Sequence, residues 1–291
     1  METLVQQLLN GLFLGSIYVL VALGLTLIYR VLKFAQLAHG ELAMVGGYLG
    51  VWALDVTHNV VLAFLIVVVV MGVGGIVLER FVFRPFLNAN HLIPLLVSLA
   101  VGAAIHESIR NLVNHGLPVS RPSWVQSGSF EVGTIVISWF QLLAVGITAV
   151  CVVAIVLLLQ KTNLGMQIRA VADNQEVARL LGINPRLLGS ATFFAGTALA
   201  GAAGMTYLLV YNGMSPEVGG SLSFKALAVV LLGGMGSITG AVVGGLALGL
   251  VEVLTAGYIS SSFSDAIAFG VIILILVWRP AGIYGREVAP A

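Results

Sequence analysis

Along this chain apolar residues come in long unbroken blocks, with polar residues confined to the gaps between them. The runs 3–29, 59–78, 132–160, 187–216 and 226–251 contain no Asp, Glu, Lys or Arg. About 20 apolar residues cross the roughly 30 Å of bilayer hydrocarbon, so each run holds a span. Three further apolar runs carry isolated charges: 34–54 with Glu41, 92–113 with Glu107 and Arg110, and 259–278 with Asp265. The pattern predicts an all-α polytopic integral membrane protein of about eight transmembrane helices. A barrel is excluded, because barrel strands alternate apolar and polar positions and these runs are apolar on every face. The first run reads as a retained helix: no basic residue precedes it, and its core 11–29 is longer than a leader's apolar region.

One run is interrupted. Leu232-Gly-Gly-Met-Gly-Ser-Ile-Thr-Gly240 places four glycines and two hydroxyl residues inside an otherwise apolar stretch. Backbone that leaves the helix at membrane depth must be surrounded by protein or water, so a Gly-rich broken or re-entrant hairpin is predicted near 224–258. One long tilted helix with a small-residue packing face is the alternative.

Composition sharpens this picture. Hydrophobic residues make up 59% of the 291 and charged residues 9%, with mean hydropathy +1.07; an ordinary soluble domain is about 25% charged. The formal net charge is +1 and no charge run exists, which gives no footing for nucleic acid. The one cysteine, Cys151, excludes an internal disulfide framework. Short loops rich in Lys and Arg stay cytoplasmic. With the N-terminus outside, Arg30, Lys33, Arg80, Arg84, Lys161, Arg169, Arg179 and Arg186 fall inside, and Arg110 and Arg121 outside. Arg279 and Arg286 join the inside set if 224–258 begins and ends outside, making ten of 13 and a cytoplasmic C-terminus.

Two stretches are not membrane. Residues 114–131, with Pro118, Pro122, Ser120, Ser123, Ser127 and Ser129, read as an external loop. Residues 161–186 form the one strongly polar cytoplasmic segment and read as a surface helix. Its stripe is Leu164, Ile168, Val171, Ala178 and Leu181, and Arg169–Asp173 and Glu176–Arg179 are spaced to pair. Gly182 supplies its stop, and Asn184-Pro185 prevents continuation.

The sharpest intramembrane constellation is Ala38-His-Gly-Glu41, because ionisable groups inside a span are costly and face a cavity or a partner. His39 or Glu41 lines or gates a passage, or else the two brace helices. Proton carriage by them would make a self-sufficient secondary transporter. Enzyme readings fail on spacing. His106-Glu-Ser-Ile-Arg110 lacks the second imidazole of H-E-x-x-H, Ser237 lacks the flanking glycines of G-x-S-x-G, and no Lys follows a Gly as a phosphate loop requires.

Glu176-Val-Ala-Arg-Leu-Leu-Gly182 is similar to the E-x-A-x-x-x-G loop by which permeases of bacterial ATP-binding-cassette (ABC) importers dock onto their ATPase, with Val177 where the general loop has a second Ala. The segments 34–48, 169–174 and 232–241 and the tail Trp278-Arg-Pro-Ala-Gly-Ile-Tyr-Gly285 resemble branched-chain amino-acid permeases, and the likeness runs nearly end to end. The resemblance implies a single permease domain over 1–291 in the bacterial inner membrane, with no ATPase site and no cofactor of its own. It also implies a homologous or identical second permease, two cytoplasmic ABC ATPases that bind ATP, and an external solute-binding protein. Leucine, isoleucine or valine is the expected solute, with urea or short amides as the alternative. By the same resemblance Arg169, Asp173, Glu176, Ala178, Arg179 and Gly182 dock the ATPase. His39, Glu41, Gly233, Gly234, Gly236, Ser237 and Gly240 are the pathway or helix-bracing candidates.

Overall fold

A helix that is apolar all round belongs in the middle of a bundle, and α1 (Glu2–Leu32) occupies that place, buried along nearly all of its apolar length. The computed structural model describes residues 2–285 apart from 88, 91, 114, 115, 127 and 134. Ser127 and Arg286, used in the loop and charge readings above, lie outside the described residues.

After α1 come α2 (His39–Thr57), α3 (Val60–Leu78), α4 (Leu92–Leu112), α5 (Trp139–Lys161), α6 (Asn163–Asp173), α7 (Gln175–Leu180), α8 (Pro185–Tyr211), α9 (Glu217–Gly233), α10 (Ile238–Tyr258) and α11 (Ser264–Trp278). Among the described residues seven helices are long and apolar enough to cross a membrane: Thr3–Leu32, Val60–Phe86, Leu92–Leu112, Trp139–Lys161, Pro185–Tyr211, Ile238–Tyr258 and Ser261–Trp278. The expected count of eight differs by α2, which is diluted by His39, Glu41 and Asp55; α9, with 17 residues, is too short to count apart from α10. Both nevertheless pack inside the bundle.

Small residues set the central contacts. A Cβ on Gly15 of α1 would meet the Leu246 backbone of α10 at 2.9 Å, and one on Gly46 of α2 would meet Gly201 of α8 at 2.6 Å. Backbones this close gain dispersion contacts that larger side chains would prevent, the usual source of helix association where lipid removes the hydrophobic drive.

The ends of the helices collect into two layers. At one end β1 (Val119–Ser120) pairs antiparallel with β4 (Gly213–Met214), and β2 (Ser129–Val132) pairs with β3 (Ile135–Ser138). Arg121 donates to the Leu209 carbonyl at 2.6 Å and lies over the Phe140 ring. The expected external loop is therefore a pinned structure, tied to the exit of α8 and the start of α5. At the other end Arg84 forms a bidentate pair with the buried Glu79 carboxylate (3.0 and 2.5 Å), and Ser190 of α8 donates to the same carboxylate at 2.8 Å. Gly189 beside Ser190 packs near Leu32, the last residue of α1.

Candidate functional site

The start of α2 lies inside the bundle, and its first amides need partners because no water is there to serve them. Ala38, at the N-cap, has no side chain for the task. The amides of Ala38 and Gly40 instead donate to the hydroxyls of Ser98 on α4 and Ser223 on α9, each at 3.0 Å. This borrowed cap fixes α2 between the two neighbouring helices.

The two ionisable residues that follow take different surroundings. His39 is fully buried, its Nδ1 lies 3.1 Å from Gln36 Oε1, and its Nε2 presses against Gly24 of α1, where a Cβ would sit 2.5 Å away. Glu41 points to the opposite side. Its Oε1 lies 3.6 Å from Nδ1 of His106 on α4, while Oε2 is buried with no hydrogen-bond partner among the described residues. Glu41 borders a cavity of about 250 Å³ between α2, α4 and α9, walled by Leu37, Leu99 and Phe224 and edged by His106, Glu107 and Ser223. Of the pair singled out in sequence, Glu41 faces open space and His39 sits in the α1–α2 contact.

A second polar cluster escaped the sequence reading. Lys225 of α9, 8% exposed, places Nζ 2.7 Å from Glu252 Oε1 on α10, 3.0 Å from Asp265 on α11 and 3.0 Å from the Tyr18 hydroxyl on α1. The Tyr18 hydroxyl donates to Glu252 Oε2 at 2.8 Å. Lys225 is thus the hub of an ion network that joins four helices, with Glu252 bound by both Lys225 and Tyr18. The available signal was an intramembrane Lys in a chain with two acids, Glu252 and Asp265, in the following helices.

The Gly-rich interruption breaks the helix at 234–237, with positive φ at Gly234 (+96°) and Gly236 (+82°) that an L side chain would resist. Ser237 caps α10 by accepting from the Gly240 amide at 3.1 Å. Gly233 and Gly240 meet backbone to backbone. The tail returns here, Ile283 N donating to Leu232 O at 2.8 Å and Tyr284 N to Gly233 O at 3.1 Å. Tyr29, near the end of α1, is the side chain that a Gly236 Cβ would approach. Single-helix continuity through this region is thus absent, and Gly233, Gly234, Gly236, Ser237 and Gly240 build a turn locked by the tail.

In the segment 161–186 the single surface helix is corrected to two, α6 and α7, divided at Asn174, whose side chain accepts from the Glu176 and Val177 amides. The two expected ion pairs, Arg169–Asp173 within α6 and Glu176–Arg179 within α7, do not close among the described residues. Ile168, Val171 and Ala178 of the stripe are buried; Leu164 and Leu181 are exposed. Gly182 follows α7 with φ +80°, and Asn184 caps α8. Glu107 and Arg110 approach to 3.6 Å on an exposed face of α4. Among the described residues no group of three or more His, Cys, Asp or Glu is placed to hold a metal ion.

The chain matches the family model described as the permease component of branched-chain amino acid transport systems over residues 7–276. It is 33% identical to the high-affinity branched-chain amino acid transport system permease protein BraD of Pseudomonas aeruginosa, over 97% of this chain and 95% of that protein. The corresponding permease proteins LivH of Salmonella typhimurium and Escherichia coli are each 32% identical, with 97% of this chain and 95% of theirs covered. No solved structure matches.

Proposed function

The chain belongs to the family of permease components of branched-chain amino acid transport systems, and from that premise we propose how it works within its importer. It is the permease subunit of an ABC importer for branched-chain amino acids. In the working assembly a second permease, homologous or identical, stands beside it, two cytoplasmic ABC ATPases bind its inner face, and a solute-binding protein delivers leucine, isoleucine or valine from outside. ATP is bound and hydrolysed by those partners, and no chemistry occurs in this chain.

We place the assembly in the bacterial inner membrane with the N-terminus outside and the C-terminus inside. The support is the side on which basic residues gather: Arg84 and the α6–α7 segment lie at one end of the bundle, the strand-paired loop with Arg121 at the other. On this reading α2 and α9 also cross, α9 and α10 forming a hairpin whose Gly-rich turn faces the cytoplasm beside the tail.

The observation that carries the coupling role is the division of faces in α6 and α7. Ala178 is locked into the bundle at 1% exposure, while Leu180 and Leu181 next to it stand 88% and 73% exposed. Exposed leucines at the tip of a polar segment, ringed by Arg169, Asp173, Glu176 and Arg179 and closed by Gly182, suit a groove on an ATPase, with the charges as a rim. Closure of the ATPases around ATP would then displace α6 and α7 as a unit and swing the spans they are joined to, α5 and α8, a rigid-body alternation between outward and inward access. The test is ATP hydrolysis stimulated by the loaded binding protein in vesicles: Gly182→Pro and Glu176→Lys are expected to abolish stimulation while the chain remains in the membrane. Stimulation at the unmodified level in both variants would remove the docking role.

A further inference from the structure

Buried polar groups in a folded protein are satisfied, and each exception calls for an explanation. Glu41 is such an exception among the described residues: it is 7% exposed, Oε2 is packed against Gly219 of α9 with no donor, and Oε1, 3.6 Å from His106 Nδ1 and next to Gly220, is the oxygen on the side of a mostly apolar cavity that both of those residues line. Neighbouring hydroxyls do not serve it: Ser98 and Ser223 accept from the α2 amides, and neither donates to Glu41 among the described residues. The α9 backbone at Gly219 closes over Oε2, which leaves Oε1 as the oxygen open to the cavity. A carboxylate kept short of one donor, at the rim of a cavity walled by Leu37, Leu99 and Phe224, is complementary to a small solute carrying an ammonium group next to an aliphatic chain.

We propose that this cavity is a resting subsite for the transported amino acid, in which Glu41 Oε1 accepts from the α-ammonium group and the wall of Leu37, Leu99 and Phe224 takes the branched side chain. The assignment rests on the permease reading above and deepens it. His106 Nδ1, 3.6 Å from Oε1 and outside hydrogen-bond distance, stands at the same edge of the cavity and leaves that oxygen open to a donor. An anionic solute of the same shape is repelled by the same carboxylate, which gives the permease a selectivity filter of its own behind the binding protein. A second cavity, of about 330 Å³ and lined by Tyr18, Lys225 and Glu252, does not compete for this role, because the Lys225 ammonium already meets Glu252, Asp265 and Tyr18.

Alkylation of a cysteine placed on the cavity wall tests this. In a Cys151→Ala background, Ala103→Cys borders the cavity, and the assembled importer is reacted with a small maleimide in the presence of leucine, isoamylamine (leucine without its carboxylate) or 4-methylpentanoate (leucine without its ammonium). Leucine and isoamylamine are expected to slow the reaction and 4-methylpentanoate to leave it unchanged. Glu41→Gln is expected to weaken protection roughly tenfold, as loss of one charge-assisted hydrogen bond implies. Glu41→Asp, which keeps the charge, retains part of it and guards against misfolding of the first variant. Equal protection by 4-methylpentanoate, unchanged protection in Glu41→Gln, or no protection by leucine would overturn the assignment, provided the same preparation hydrolyses ATP in response to loaded binding protein. A preparation of all subunits that never responds contradicts the permease reading instead, and this proposal falls with it.

Discussion

Two acids that approach α9 make an instructive pair, Glu41 buried and Glu252 partly so. Glu252 has every oxygen engaged, Oε1 by Lys225 and Oε2 by Tyr18, and the cluster joins α1, α9, α10 and α11. Glu41 has one oxygen facing an imidazole 3.6 Å away and one with nothing to accept from. Both are ionisable groups at membrane depth, where an unpaired charge is costly. The saturated cluster spends its charges on holding helices together; the unsaturated site keeps an acceptor in reserve, which is useful only if something with a donor arrives. Saturation, not mere presence in a span, separates a brace from a binding group.

That contrast sets the order of expected effects. The largest belongs to Lys225→Met, which leaves the mostly buried Glu252 without its cation while Asp265 is half exposed, and should cost about 2–3 kcal/mol, read as loss of folded protein on heating in detergent. Adding Glu252→Gln and Asp265→Asn should restore most of that loss, since removing the whole network avoids the stranded charge; a triple variant as unstable as the single one would deny the cluster its bracing role. Next comes Gly240→Leu, where the new side chain meets the Gly233 backbone and overpacking should cost about 1–3 kcal/mol by the same measurement. Unchanged melting would mean that the α9–α10 contact is looser than described. Glu41→Gln should leave melting unchanged or slightly raised, because it removes a buried charge that no donor fully compensates, while leucine uptake falls. Destabilisation equal to that of Lys225→Met would make Glu41 a brace after all. Smallest in stability is Leu180→Asp, within about 0.5 kcal/mol at so exposed a site, yet it should uncouple hydrolysis from the loaded binding protein.

Much of this was legible in sequence, and the exceptions have physical reasons. The spans of α1, α3, α5 and α8 stand out as uncharged blocks because lipid tolerates little else. Asn184-Pro185 reads in sequence as a stop and Ser237 as a pathway or bracing candidate, whereas their capping of α8 and α10 appears only in the fold. The break at 234–237 shows as glycine density, though not the tail that closes over it, since that contact joins residues about fifty apart. The division of α6 from α7 turned on Asn174, a good cap that a helix-period reading passes over. The Lys225 cluster was missed because its four members sit on four helices, and no spacing rule links Tyr18 to Glu252. Likewise His39 and Glu41 looked equivalent until the fold turned one toward Gly24 and the other toward a cavity.

The central claim is that this chain is the membrane permease through which external solute binding reaches cytoplasmic ATPases, and stimulated ATP hydrolysis measures it directly. Vesicles carrying the ATPases, the second permease and this chain should hydrolyse ATP faster when binding protein loaded with leucine is added outside, and Leu180→Asp with Gly182→Pro should return the rate to its unstimulated value. Equal stimulation in vesicles lacking this chain, or none in vesicles containing all the subunits, would contradict the account.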